Sequence, residues 1–115
     1  MKQVILVSER GEERSFIFLR ESIEGANQTE NVVAVAVALN TVNAQQHITI
    51  GKVDCLVFNT AFLMPSAKEI KGQHPELRVV VFTADAMGAE AQDEGVIIMG
   101  KTFVSAEDIQ RIVLG

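Results

Sequence analysis

The residues of this chain that could do chemistry stand at the ends of apolar runs. The clearest case is residues 54–65, DCLVFNTAFLMP, where Cys55, Leu56, Val57 and Phe58 form an uncharged run. Such a run reads as a strand buried on both faces, the habit of parallel sheets. It stops at Asn59 and Thr60, small polar residues suited to a strand end and the loop after it. In open α/β sheets ligands bind in the crevice beyond the carboxyl ends of the strands, and Asn59 is placed to point into it. Asp54 is five residues earlier, roughly 16 Å away at ~3.3 Å per residue, on the opposite rim. It cannot share a site with Asn59.

The other reactive side chains offer less. Cys55 lies inside the apolar run with no cation beside it in sequence, so it reads as a buried structural thiol, and one cysteine excludes an internal disulfide. His47 falls in a weak helical segment and His74 in the Gly72–Pro75 break, on the far end of the sheet. Neither has a Cys or an acid at metal-ligand spacing. The segment Ser8-Glu9-Arg10-Gly11 carries one glycine and no phosphate-cradling fingerprint. The sequence therefore predicts no catalytic residue, no metal centre and no cofactor. Met64, Met87 and Met99 read as core or loop packing.

The elements that position these residues alternate. Residues 3–7, QVILV, are a first buried strand, followed by a polar loop. From Glu12 the pattern turns helical, with Phe16, Leu19 and Ile23 at i, i+3 and i+7, and Gly25 as a C-terminal stop. Residues 32–36 are a second strand. Asn40 and Thr41 offer an N-cap for a short helix to about Ile48, with Ala44 and Ile48 inward. After the strand at 55–58, Ser66 can cap a helix to about Lys71, ended by the stretch from Gly72 to Pro75. Residues 77–82, LRVVVF, are a fourth strand ending at Thr83 and Ala84; residues 87–94 read as a weak, Ala-rich helical turn or two. Residues 96–99 are a fifth strand, and Ser105 opens a last helix as a capping-box-like S-A-E-D, with Ile109, Ile112 and Val113 as its apolar stripe.

Five successive β-α units predict a doubly wound α/β domain with a five-stranded parallel sheet and helices on both faces. Right-handed crossovers leave few topologies, and the flavodoxin-like strand order 2-1-3-4-5 is the usual one, with the second and fifth strands at the edges. The chain has 115 residues, 48% of them hydrophobic, and reads as a single domain spanning 1–115. Its formal net charge is −5 with no basic cluster, which argues against nucleic acid or an anionic membrane as partner. The longest apolar stretch, residues 31–40, is about half of what a bilayer requires, and the reading is a cytoplasmic protein.

On that sheet five segments converge: Ser8-Glu9, the 37–40 corner, Asn59-Thr60, Thr83-Ala84 and Gly100-Lys101. Together VILVSE, DCLVFNTAFLMP, VVVFTA and GKTF resemble the receiver domain of bacterial response regulators, over essentially the whole chain. The resemblance implies roles. Thr83 matches the switch hydroxyl that bonds an incoming phosphoryl oxygen, and Lys101 the lysine that pairs with its charge. Glu9 falls where the second of two acids, a magnesium ligand, would sit, and Ser8 replaces the first. Asn59 replaces the aspartate that becomes phosphorylated. Ile98 replaces the aromatic switch residue, and Thr102 the proline after the lysine.

These departures remove chemistry. An amide nitrogen's lone pair is delocalised into its carbonyl, so Asn59 cannot form an acyl phosphate. Mg²⁺ wants oxygen ligands that include carboxylates, and Glu9 beside Ser8 and Asn59 is a poor set. Glu9 and Lys101 could simply neutralise each other as a partly buried pair. The resemblance thus implies a pseudo-receiver: not an enzyme, not phosphorylated, and acting by protein–protein interaction in two-component-type signalling or a phosphorelay. The surface that receivers commonly use is the fourth helix, fifth strand and fifth helix, here residues 87–114. An exposed fifth-strand edge and the stripe Ile109, Ile112, Val113 lead to the expectation of a homodimer there. The alternative is a switch responsive to a metal or a phosphate-like ligand, using Glu9, Thr83 and Lys101 without covalent chemistry. A flavodoxin-like enzyme would need a nucleophile or cofactor loop at a strand end, and none is visible.

Overall fold

A computed structural model describes residues 2–8, 14–27, 32–38, 40–59, 61–84, 88, 90–101 and 103–115, leaving aside the side chains of His47, Thr49, Ile50 and Ala61, and these residues form six strands and four helices. The strands are β1 (Lys2–Val7), β2 (Val33–Ala38), β3 (Cys55–Phe58), β4 (Arg78–Thr83), β5 (Glu90–Asp93) and β6 (Val96–Gly100). The helices are α1 (Arg14–Glu24), α2 (Thr41–Ile50), α3 (Met64–Gln73) and α4 (Ala106–Leu114), with 3-10 turns at Gly25–Asn27 and Ala61–Leu63.

Strand side chains alternate between faces, and here both faces are apolar, so the core has two layers. On one face Val4, Leu6, Val57, Val80, Phe82 and Met99 pack with Phe16, Leu19 and Ile23 of α1 and Ile109, Ile112 and Val113 of α4. On the other, Ile5, Val7, Leu56, Phe58, Val79 and Val81 pack with Ala44 of α2 and Ala67 and Ile70 of α3. Burying each Leu, Ile or Phe contributes about 1.5–3 kcal/mol, which makes these layers the main source of stability.

Helix ends follow the caps with one exception. Asn40 Oδ1 accepts the Asn43 N–H at 2.8 Å and starts α2. Ser105 Oγ accepts the Asp108 N–H at 3.2 Å while the Asp108 carboxylate accepts the Ser105 N–H at 3.0 Å, a complete capping box. Ser66 does not cap α3. The helix begins at Met64 without a side-chain cap, because Pro65 falls in the first turn, where a missing N–H costs nothing. Gly72 stays inside α3, which runs on to Gln73. At the far end of α4, Arg78 donates to the Ile112 carbonyl at 2.7 Å and Lys2 to the Leu114 carbonyl, placing cations on the negative end of the helix dipole.

The sheet order is β2-β1-β3-β4-β6-β5. Its first five members are parallel and keep the expected 2-1-3-4-5 arrangement, with β6 in the fifth place. The sixth member is a departure. Within residues 87–94, read as helical, Glu90–Asp93 is instead a strand antiparallel to β6. Glu94 at φ 51° and Gly95 at φ 84° form the two-residue link, the pair of left-handed residues that a type I′ hairpin requires. Ion pairs hold the hairpin on both sides: Asp93 to Lys68 of α3 at 2.9 Å and Glu90 to Arg111 of α4 at 3.4 Å. Residues 85–87 and 89, Met87 included, lie outside the described residues.

Two observations remove the grounds for the expected docking surface. The β6 edge is covered by β5. Ile109, Ile112 and Val113 are 0%, 2% and 2% exposed because α4 turns its stripe onto the sheet and α1. They are core residues, as a strong amphipathic stripe on a helix flanking a sheet should be.

Replacing Asn40 by Ala removes the α2 cap and is expected to cost about 1 kcal/mol in denaturant unfolding. The Asp108 carboxyl is held below the usual carboxylate range, chiefly by the Ser105 backbone N–H and then by its hydroxyl, with Arg111 adding to it. A lowered folded-state pKa means that this stabilisation is present above the ordinary Asp range and lost as pH falls through the lower value. The stability gap between wild type and Asp108→Asn should therefore close on acidification; a gap unchanged by acid in paired urea melts would show that the carboxylate does not supply it.

Candidate functional site

Parallel strands bring their carboxyl ends to one rim, and the buried polar residues gather there. Ser8 follows β1, and its N–H donates to the Ala38 carbonyl at 3.1 Å. Asn59 follows β3 and donates to the Val7 carbonyl at 3.2 Å. Thr83 closes β4, and its carbonyl accepts the Lys101 N–H at 2.9 Å. Ser8, Asn59 and Thr83 are three of the four buried polar residues among those described, the fourth being Ser22 in α1. The sequence reading placed this trio and Lys101 together, and the sheet does so.

Lys101 is a cation of the site, and two neutral oxygens are among its partners. Its Nζ donates to the Asn59 carbonyl at 3.0 Å and to Ser15 Oγ at 3.2 Å, and it stands 5.5 Å from the centre of the Phe82 ring. The ammonium thus ties the ends of β6 and β3 together across β4. Gly100, just before it, has to be glycine: a Cβ there would collide with the Gly88 carbonyl oxygen and stand 2.9 Å from the Phe103 ring. The Phe103 ring, 53% exposed, borders this approach.

Ser15 was missed by sequence reasoning. It lies 86 residues from Lys101, and no local pattern marks it. The available signal was topological: in a β-α unit the helix after β1 starts at the carboxyl rim, so its first turn faces the crevice. Ile98 stands in β6 beside Val81 of β4 and Ala91 of β5, half-buried. Glu9, Thr60 and Thr102 lie outside the described residues, and with Glu9 the expected pair to Lys101.

Asn59 is the most unusual group. It is 5% exposed, and no group among the described residues hydrogen-bonds to its Oδ1. A buried acceptor left unpaired costs about 1–3 kcal/mol. Among the described residues no three His, Cys, Asp or Glu could hold a metal, and those at the rim offer an amide, the hydroxyls of Ser8, Ser15 and Thr83, and an ammonium. A hard dication needs carboxylates in that set, so the described residues do not fit it.

The remaining candidates lie elsewhere. Cys55 is buried at the start of β3, and desolvation pushes its thiol up to about 12 despite the opposing charges of Arg78 and Lys2. Asp54 accepts the Gln3 N–H at 2.9 Å at the amino rim of the sheet. There it borders an open cleft of about 340 Å³ with Lys52, His74 and Glu76, on the side away from Asn59. Among the described residues no helix is long and apolar enough to cross a membrane.

No family model matches the chain, and no curated protein matches it by sequence. Solved structures do match in fold. A response regulator from Thermotoga maritima superposes with a TM-score of 0.65 at 19% identity, over 99% of this chain and 98% of that one. A LuxR family DNA-binding response regulator from Silicibacter pomeroyi gives a TM-score of 0.65 at 15% identity, over 96% of this chain and 87% of that one. At these identities the likeness is one of fold: the chain has the architecture of a response-regulator receiver, with the added β5 edge.

Burial of Cys55 yields a test of the core beneath the site. With the folded thiol titrating near 12 and the unfolded one near 9.0, its contribution is intact below about pH 9 and declines as pH rises toward 12. Native protein at pH 8 should leave a thiol reagent unreacted except on unfolding. A Cys55→Val variant should lack the alkaline loss of stability attributable to the thiol; rapid labelling of the folded protein would show Cys55 to be accessible.

Proposed function

We propose that the chain is a pseudo-receiver, a receiver fold that no longer takes a phosphoryl group and works by binding a protein partner in a two-component-type signalling pathway of the cytoplasm. One observation carries the reading. The residue that ends β3, beside Lys101 on the carboxyl rim, is a buried amide, Asn59. An amide cannot attack phosphorus to form an acyl phosphate. Lys101 is engaged by the Asn59 backbone and Ser15, so the ammonium has a structural task without a phosphoryl group. On this reading the domain performs no catalysis, and its output is one constant surface rather than two interchanging ones.

A second reading has its own support. A buried Oδ1 without a protein donor is complemented by a cation or a hydrogen-bond donor entering the crevice, so a ligand-responsive switch without covalent chemistry is the alternative.

Amide NMR spectra with Mg²⁺, then with beryllofluoride, separate the two. For the pseudo-receiver, wild type should show no shifts at Ser8, Asn59, Thr83 or Lys101, while Asn59→Asp should respond to beryllofluoride. Saturable shifts at those residues in wild type would favour the switch. Phosphorylation of the wild-type chain by a small acyl phosphate donor would remove the pseudo-receiver reading altogether.

A further inference from the structure

The two edges of the sheet are built differently. The outer strand on one side, β5, has the sequence EAQD, and its acids are tied to Lys68 and Arg111. Short, charged edge strands are a common defence against pairing with another chain. The strand on the other side, β2, is VAVAVA: six residues with no charge, no proline and half-buried side chains along its middle.

The backbone of β2 shows which of its groups face outward. The Lys2 N–H donates to the Val32 carbonyl and the Ser8 N–H to the Ala38 carbonyl, each at 3.1 Å. Even-numbered positions of β2 therefore turn their backbone groups toward β1, and Val33, Val35 and Val37 turn theirs outward. The first outward rung is sealed by a side chain. Asn27 Oδ1 accepts the Val33 N–H at 3.0 Å and the Val32 N–H at 2.8 Å, and Asn27 Nδ2 donates to the Val33 carbonyl at 2.8 Å. The amide stands in for the edge of a neighbouring strand. Among the described residues, no side chain plugs the next two rungs, Val35 and Val37.

We propose that the β2 edge is an interface between two copies of this chain, paired antiparallel about a twofold axis through Ala36. Val35 of one copy then faces Val37 of the other, and the reverse, so the two open rungs supply four backbone hydrogen bonds with no group left over. The Asn27 plug blocks any register that needs Val33. A twofold axis perpendicular to the sheet keeps each face continuous: the valines meet on the face of α1 and α4, the alanines on the face of α2. Of the two edges, β2 is the one at which two copies of a chain of net −5 would pair through strands that themselves carry no charge. Pairing β2 with the β5 edge of another copy would instead bring in the acids at 90 and 93 and propagate without closing. A two-rung contact is small by the standard of stable interfaces, so the dimer is weak and concentration-dependent.

The test is amide hydrogen exchange by NMR on the intact chain, from dilute to millimolar solution, alongside sedimentation. The expected result is a concentration-dependent dimer in which exchange at Val35 and Val37 slows by about tenfold or more, while Ala34 and Ala36, bonded to β1, are slow throughout. Val37→Pro removes one outward N–H and none that faces β1, a position where an edge strand tolerates proline. It should abolish the dimer with the remaining amide spectrum retained. If that variant fails to fold, the wild-type exchange series decides alone. A chain that stays monomeric to millimolar concentration overturns the proposal. So does a dimer in which Val35 and Val37 exchange as fast as in the monomer.

Discussion

The structure depends on β3 being buried on both faces and paired on both sides. Four residues, Cys55 to Phe58, are too few to be stable unless β1 and β4 satisfy their backbone and helices cover both faces. Parallel pairing follows, because only crossover helices can return the chain to the same rim and cover the sheet as they do so. Every functional candidate inherits its position from that arrangement. Ser8, Asn59, Thr83 and Lys101 meet because four strands run in one direction and stop at one level.

Charge balance then gives the rim its character. Asn59 supplies its backbone carbonyl to the Lys101 ammonium, and no group among the described residues donates to its Oδ1. Lys101 also bonds Ser15, so the first turn of α1, the end of β3 and the end of β6 are held through one cation.

The edges carry the other half of the logic. The β5 hairpin occupies the place where a helix was expected and closes one side of the sheet with charged residues paired to α3 and α4. That leaves the uncharged β2 as the contrasting side, and the Asn27 amide limits how much of it is open. The apolar stripe of α4 contributes to the core.

The sequence by itself determined the five parallel strands and their order, the helices α1 to α4, the Asn40 cap, the capping box at Ser105 and the gathering of Ser8, Asn59, Thr83 and Lys101. Each rests on a pattern within about ten residues or on the few topologies that right-handed crossovers allow. Tertiary structure alone decided the rest. Residues 87–94 read locally as helix, yet Glu94 and Gly95 adopt the left-handed pair that folds Glu90–Asp93 onto β6, where antiparallel pairing along four positions overrides local propensity. Ile109, Ile112 and Val113 look the same in sequence whether a helix docks a partner or its own sheet; only the position of α1 and the sheet shows the second. The contacts of Lys101 with Ser15 and of Asn27 with Val33 join residues by side-chain geometry, which periodicity does not encode.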